Sequence, residues 1–141
     1  MFKVQVLKEG CLITKAHHGD AGFDLYNASD LDIMIGPGER YKFPVGIAIE
    51  LPLGFMALVQ GKSGLAAKDG ITTIGNVIDS GYRGQVHAIL LNTSQVSITI
   101  KPRQKLAQLI VIPCYTDYVF EVVNNLTEST RGADGFGSTG K

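Results

Sequence analysis

The 141-residue chain has no tryptophan, only two cysteines and five prolines, and no excess of charge of either sign. Cys11 and Cys114 form no disulfide framework, and two reduced, structural thiols are expected. No CxxC or HExxH motif accompanies the adjacent His17 and His18, so no zinc site is expected. There is no apolar run of ~18 residues, which excludes a transmembrane helix. The opening Met1-Phe2-Lys3-Val4-Gln5 alternates rather than forming a signal-peptide core. The expected location is therefore intracellular: the cytoplasm, or the host nucleus if the source is eukaryotic or viral. Thirteen Lys+Arg balance thirteen Asp+Glu. A general nucleic-acid binder needs a basic excess to exchange for phosphate counterions, so direct nucleic-acid binding is not expected.

What is present fits one folded domain. Hydrophobic residues make up 45% of the chain, enough for a core. Glycine is abundant at 17 residues, against a usual ~7% of positions. The dominant period is two. Phe2–Val6 and Val96–Lys101 alternate, Val45–Leu51 and Val86–Leu91 read as more buried strands, and Gly54–Gln60 and Leu106–Pro113 complete the set. Turn signals such as Gly36-Pro37-Gly38 and Lys68-Asp69-Gly70 separate them. Short strands with frequent turns indicate an all-β sandwich or barrel. One short helix is expected near Ser63–Lys68, with Ser63 as its cap.

Residues 127–141 differ from the rest, with several glycines and one large apolar residue, Phe136. Such a segment cannot offset its own ordering by burying core. It is either a frayed tail or a stretch whose backbone N–H groups approach an anion while Phe136 covers a flat ring. Further upstream, Gly61-Lys62-Ser63-Gly64-Leu65-Ala66 sets a cation, a hydroxyl and a glycine before a helix start. It reads as a phosphate site or as a polar turn, and lacks P-loop spacing. Val77-Ile78-Asp79-Ser80-Gly81-Tyr82-Arg83-Gly84 ends a strand on an aspartate, with a tyrosine three residues later. That aspartate can activate water or hold a metal; the alternative is a turn aspartate with a packing tyrosine. Asp24 in Ala21-Gly22-Phe23-Asp24-Leu25 and Gln108 in Lys105-Leu106-Ala107-Gln108-Leu109 are polar groups in apolar settings that need partners.

In order, these segments and Arg131-Gly132-Ala133-Asp134-Gly135-Phe136-Gly137-Ser138-Thr139-Gly140 resemble the five motifs of the trimeric dUTP diphosphatase (dUTPase) family. The resemblance spans residues 21 to 140. It implies a distorted β jelly-roll barrel with one short helix, a homotrimer with shared active sites, and a division into a barrel (1–126) and a flexible C-terminal arm (127–141) that closes over the site. The implied reaction is hydrolysis of dUTP to dUMP and pyrophosphate, with Mg²⁺ held mainly by the triphosphate. By matched position, Asp79 orients and helps deprotonate the attacking water, and Tyr82 packs against deoxyribose. The stretch from Thr72 to Ile78, with Asn76 and Ile78, matches a hairpin whose backbone reads uracil. Lys62, Ser63, Gly64 and Gln108 match phosphate contacts, and Asp24 matches a carboxylate that meets magnesium through water. Arg131, Ser138, Thr139 and Gly140 match contacts to the terminal phosphate, and Phe136 with Gly137 matches the cover over uracil.

Four positions depart from the family pattern. Lys62 replaces an arginine, keeping charge but losing a bidentate fork, so altered phosphate geometry is expected. Asn76 replaces a glycine; if that position needs positive φ, asparagine is the best substitute. Arg103 replaces a turn glycine, and Asp134 adds negative charge near the triphosphate. A dCTP deaminase on the same fold is the competing enzyme, and a catalytically inactive regulatory nucleotide binder is the competing class. The Gly-Phe-Gly-Ser-Thr-Gly arm argues against the first, and Asp79, Tyr82 and Arg131 argue against the second.

Overall fold

The computed structural model describes residues 1–134. Ten strands and one helix follow in the order β1 (Lys3–Val6), β2 (Phe23–Tyr26), β3 (Ile33–Ile35), β4 (Arg40–Glu50), β5 (Phe55–Gly61), α1 (Ser63–Asp69), β6 (Ile71–Ile74), β7 (Val77–Ile78), β8 (Gln85–Asn92), β9 (Ile98–Ile100) and β10 (Lys105–Pro113). They form two four-stranded sheets, β1-β4-β8-β6 and β2-β10-β5-β7, with β3 and β9 as a two-stranded clasp. This is the distorted jelly roll expected. Strand β8 shows the physical basis most cleanly. Val86, Ala88, Leu90 and Asn92 are buried, while Gln85, His87, Ile89 and Leu91 stand half-exposed on the other face. The core they enter also takes Phe43, Val45 and Ile47 from β4, Ile71 from β6 and Leu106 and Leu109 from β10, all buried. Each such side chain contributes about 1.5–3 kcal/mol relative to exposure.

The 11-residue β4 could not run this length as a regular central strand, because it contains Pro44. The structure places an irregularity in the β4–β8 register between Pro44 and Ala48. Gly46 lies inside it at φ +70°, and a Cβ there would meet Cys11 Cβ at 2.8 Å and Lys8 Cβ at 2.9 Å. Gly46 O in turn accepts from Leu7 and Lys8 N–H at 2.8 and 3.1 Å, docking the chain after β1. Gly46→Ala therefore combines left-handed strain with overpacking, and is expected to destabilise the protein by about 2–4 kcal/mol in thermal or denaturant unfolding.

Two buried asparagines close the ends of the barrel. Asn27 donates to Lys101 O at 2.9 Å, and Asn92 donates to Ile35 O at 2.9 Å and Val96 O at 2.7 Å. Cys11 is buried and Cys114 half-buried, and both are free thiols.

Three local expectations are corrected. The helix forms where expected, but Lys62 occupies its N-cap with no side-chain cap bond, so Ser63 is not the cap. Positive φ falls on Gly75 (+64°) and not on Asn76. Glycine one place earlier has absorbed the turn, leaving Asn76 free of that constraint. The segment from Thr72 to Ile78 is also not a paired hairpin. Strand β6 pairs with β8, and β7 pairs with β5, so Gly75-Asn76 is a corner carrying the chain between sheets. Asn76 O accepts from Val59 N–H at 2.9 Å and ties that corner to β5. Arg103, by contrast, does adopt the glycine-like conformation, at φ +62°. Pro102 precedes it in a turn closed by Gln104 N–H to Lys101 O, 3.2 Å. Its guanidinium reaches Cys11 Sγ at 2.7 Å.

Candidate active site

Strand β10 brings three of the motifs together. Gln108 sits opposite Asp24 of β2 on one side and Gln60 of β5 on the other, and Ala107 sits opposite Gly61. Lys62, one residue beyond β5, therefore arrives beside Asp24. Its Nζ lies 2.5 Å from Asp24 Oδ1, and Lys105 Nζ lies 2.7 Å from Oδ2. Gln108 Nε2 donates to Gly61 O at 3.1 Å. Gly22 makes room for this arrangement, since a Cβ there would overlap the Gln108 side chain. Ser63 and Gly64 open α1 beside the cluster and are exposed.

Asp24 is 6% exposed. Burial works to raise its pKa, but the hydrogen bonds and charges of Lys105 and Lys62 outweigh it and hold the carboxyl below its ordinary 3.8. A carboxylate depressed by folding stabilises above its unfolded value and loses that contribution as pH falls through its folded one. Asp24→Asn is expected to cost roughly 1–2 kcal/mol at neutral pH, by removing the negative charge and setting an amide N–H against one of the two ammonium groups. The gap in melting temperature between variant and parent should close as pH falls below 3.8. Melting curves from pH 2 to 7 check this.

The cluster bears on magnesium. Among the described residues, no group of three or more His, Cys, Asp or Glu could hold a metal ion. The one buried carboxylate already holds two ammonium groups. Direct chelation by Asp24 would have to displace both ammonium groups.

The third motif builds a separate pocket. Gly75, Val77, Ile78, Asp79 and Tyr82 line it from the corner and the turn after β7, Gln85, His87 and Ile89 from β8, and Lys42 from β4. Its volume is about 250 Å³. That is below the ~300–1,000 Å³ of drug-sized sites and suits a base and sugar more than a whole nucleoside triphosphate. Asp79 is exposed, and its carboxylate makes no hydrogen bond or ion pair among the described residues. Tyr82 N–H donates to Asp79 O at 3.1 Å, closing the turn, and the Tyr82 hydroxyl donates to Gln85 O at 2.8 Å. Ile78 is buried, anchoring the turn, while Asn76 Oδ1 is a buried oxygen without a partner among the described residues.

Within one chain the two groups stand apart. Ala57 of β5 pairs with Ile78, so Asp79 lies level with Met56, whereas the polar cluster lies level with Gln60 and Gly61. Four residues of strand separate them, or roughly 13 Å. Arg131 joins neither group. It lies in an exposed turn, where its Nε donates to Asp134 O at 3.0 Å. Phe136, Gly137, Ser138, Thr139 and Gly140 lie outside the described residues. Sequence reasoning missed Lys105 and His87 as members of these groups. The signal for Lys105 was a lysine directly before the apolar run of β10, and for His87 a polar residue at an outward position of a buried strand.

The dUTPase family profile matches residues 8–140. The deoxyuridine 5′-triphosphate nucleotidohydrolase of Clostridioides difficile is 43% identical, over 98% of this chain and 96% of its own. That of Gloeobacter violaceus is 42% identical, over 92% of this chain and 88% of its own. Among solved structures, a dUTPase variant of Staphylococcus bacteriophage 80alpha with dUpNHpp superposes with a TM-score of 0.89 at 22% identity, covering 100% of this chain and 99% of its own. A phage phi11 dUTPase from S. aureus, described with a structural Mg(II) ion, superposes at 0.80 with 21% identity, over 90% and 99% of the two chains. The ordered motifs, the jelly roll and these similarities together place the chain in the dUTPase family.

Proposed function

We propose that this enzyme hydrolyses dUTP to dUMP and pyrophosphate, which limits uracil incorporation into DNA and supplies dUMP for thymidylate synthesis. The observation that carries the reading is the free Asp79 carboxylate at a base-and-sugar pocket, on the same turn as Tyr82. Water attacks the α-phosphorus, its proton passes to Asp79, and the bond from the α-phosphorus to the bridging oxygen breaks to release pyrophosphate. Tyr82 covers the sugar and leaves no room for a 2′-hydroxyl. Backbone groups around Asn76 and Ile78 read uracil. Lys62, Ser63, Gly64 and Gln108 hold the phosphates, and Arg131, Ser138 and Thr139 reach the terminal one while Phe136 and Gly137 cover the base. Magnesium enters as part of the Mg–dUTP substrate and neutralises phosphate charge, with Asp24 meeting it through water.

The separation between the two groups supports a homotrimer in which one chain's Asp79 works with a neighbour's Lys62. The segment after β10 supports it too, because Tyr115, Val119, Phe120, Val122 and Leu126 are large and at least 85% exposed in the single chain. Residues 1–126 then form the barrel, and 127–141 the arm that closes over a site. No helix among the described residues is long and apolar enough to cross a membrane, and action on the nucleotide pool fits an intracellular location.

The test is purified protein with Mg²⁺ and dUTP, dCTP, dTTP or UTP in turn. Pyrophosphate from dUTP alone is expected. Ammonia from dCTP would instead identify a deaminase, and tight dUTP binding without turnover a regulatory homologue.

A further inference from the structure

The turn after β7 and the outward face of β8 meet at one carbonyl. Gln85 O accepts the Tyr82 hydroxyl at 2.8 Å and lies 2.9 Å from His87 Nδ1. A carbonyl only accepts, so Nδ1 carries the proton in this contact, and in the neutral ring Nε2 is the acceptor. Gln85 needs such support. It begins β8 at the break in the β4–β8 register, where the ladder passes from Pro44–His87 to Ala48–Gln85. Tyr82 needs it as well, because its ring is 43% exposed. The ring also lies over Gly84, where a Cβ would come 2.5 Å from its hydroxyl. No side chain at position 84 braces it. Lys42 from β4, and Asp79 and Tyr82 from the turn after β7, are the titratable groups that share the pocket with His87. Burial, and then the charge of Lys42, hold His87 below its ordinary 6.5, so the ring is neutral at pH 7.

We propose that His87 is a positioning residue of this pocket: by anchoring the Gln85 carbonyl it fixes Tyr82 as the wall against the sugar, and so sets the discrimination between deoxyribose and ribose. The inference rests on the dUTPase reading of the same pocket. Without the imidazole donor, the Gln85 peptide can turn, and the Tyr82 ring follows the carbonyl its hydroxyl is bonded to. A small outward shift is enough to admit a 2′-hydroxyl. Protonation adds a proton at Nε2 and leaves the Nδ1–H donor on the Gln85 carbonyl, so Tyr82 stays positioned on the acid side.

The experiment compares the parent with His87→Leu and His87→Asn, using dUTP and UTP from pH 5 to 8, with thermal melts of each. Leucine removes the donor, whereas the asparagine amide can stand where Nδ1 does. His87→Leu is expected to raise the dUTP KM and lower the dUTP-over-UTP preference in kcat/KM, each about tenfold, the worth of one ordinary hydrogen bond. Its kcat should fall less. His87→Asn should stay within about twofold of the parent in both. The parent's dUTP-over-UTP preference should hold from about pH 5 to 8, because the Nδ1–H donor is present in both protonation states. Parental KM and preference in a folded His87→Leu would overturn the proposal, as would equal losses in both variants. Nitrogen NMR of the parent imidazole tests the link without turnover. The Nδ1–H tautomer, with a shift on Tyr82→Phe, is expected; the Nε2–H tautomer would overturn it. A parent that binds deoxyuridine nucleotides without hydrolysing dUTP would instead overturn the activity and leave the tautomer result to decide His87.

Discussion

Asp79→Asn should lower dUTP turnover by about 10²–10⁴-fold, the range for loss of a positioned general base. The substitution keeps shape and removes only the proton-accepting carboxylate. Nothing in the fold depends on that charge, because Asp79 is exposed and its side chain makes no hydrogen bond or ion pair among the described residues. The turn it starts is held by backbone, through Tyr82 N–H to Asp79 O at 3.1 Å. Melting temperature and assembly should therefore match the parent. Loss of the negative charge beside a triphosphate should leave dUTP affinity unchanged or slightly higher, which separates a chemical defect from a binding one. Pyrophosphate release measured with dUTP in excess, together with calorimetric binding, checks both halves. Turnover within tenfold of the parent would remove Asp79 from its assigned role.

The second large effect concerns mixing. Lys62→Ala alone should cost most activity by removing a phosphate-facing cation, and Asp79→Asn alone costs nearly all. If each site draws Asp79 from one chain and Lys62 from another, unfolding and refolding the two variants together creates sites that are intact in both residues. Random assembly from equal amounts gives roughly a quarter of the sites this composition. Activity should rise from near zero to that fraction of the parent's. The roughly 13 Å between the Asp79 end and the Gln60 end of the β5 ladder is the observation that motivates the mixing test. Mixtures no more active than the separate variants would mean that one chain builds the site by itself.

Strand content and motif order were legible in the sequence because both are local signals. The apolar runs Val86–Leu91 and Leu106–Pro113 place β8 and β10 within a residue of their true limits. Strand β2 escaped notice because its four residues carry Asp24 in the middle, and only pairing with β10 makes that carboxylate a buried member of a sheet. The hairpin over Thr72 to Ile78 comes from the family resemblance alone, and the local sequence does not distinguish it from a corner. Which sheet each strand joins is decided by β5 and β8, far away in sequence. Whether Asn76 needs positive φ is open from sequence alone; Gly75, one place earlier, performs the turn at φ +64°. The Asp24–Lys62–Lys105 group could not be read either, because it depends on the β2–β10–β5 register and not on spacing along the chain.

The exposed side chains after β10 bear on how such an enzyme behaves when dilute. Tyr115 through Leu126 follow β10 without a strand of their own to join among the described residues; in the homotrimer proposed above, their burial depends on encounters with other chains. Folding, assembly and catalysis then share one mass-action equilibrium. Below the dissociation constant of the assembly, rate should fall more steeply than in proportion to enzyme concentration, and a saturating substrate that bridges two chains should restore linearity.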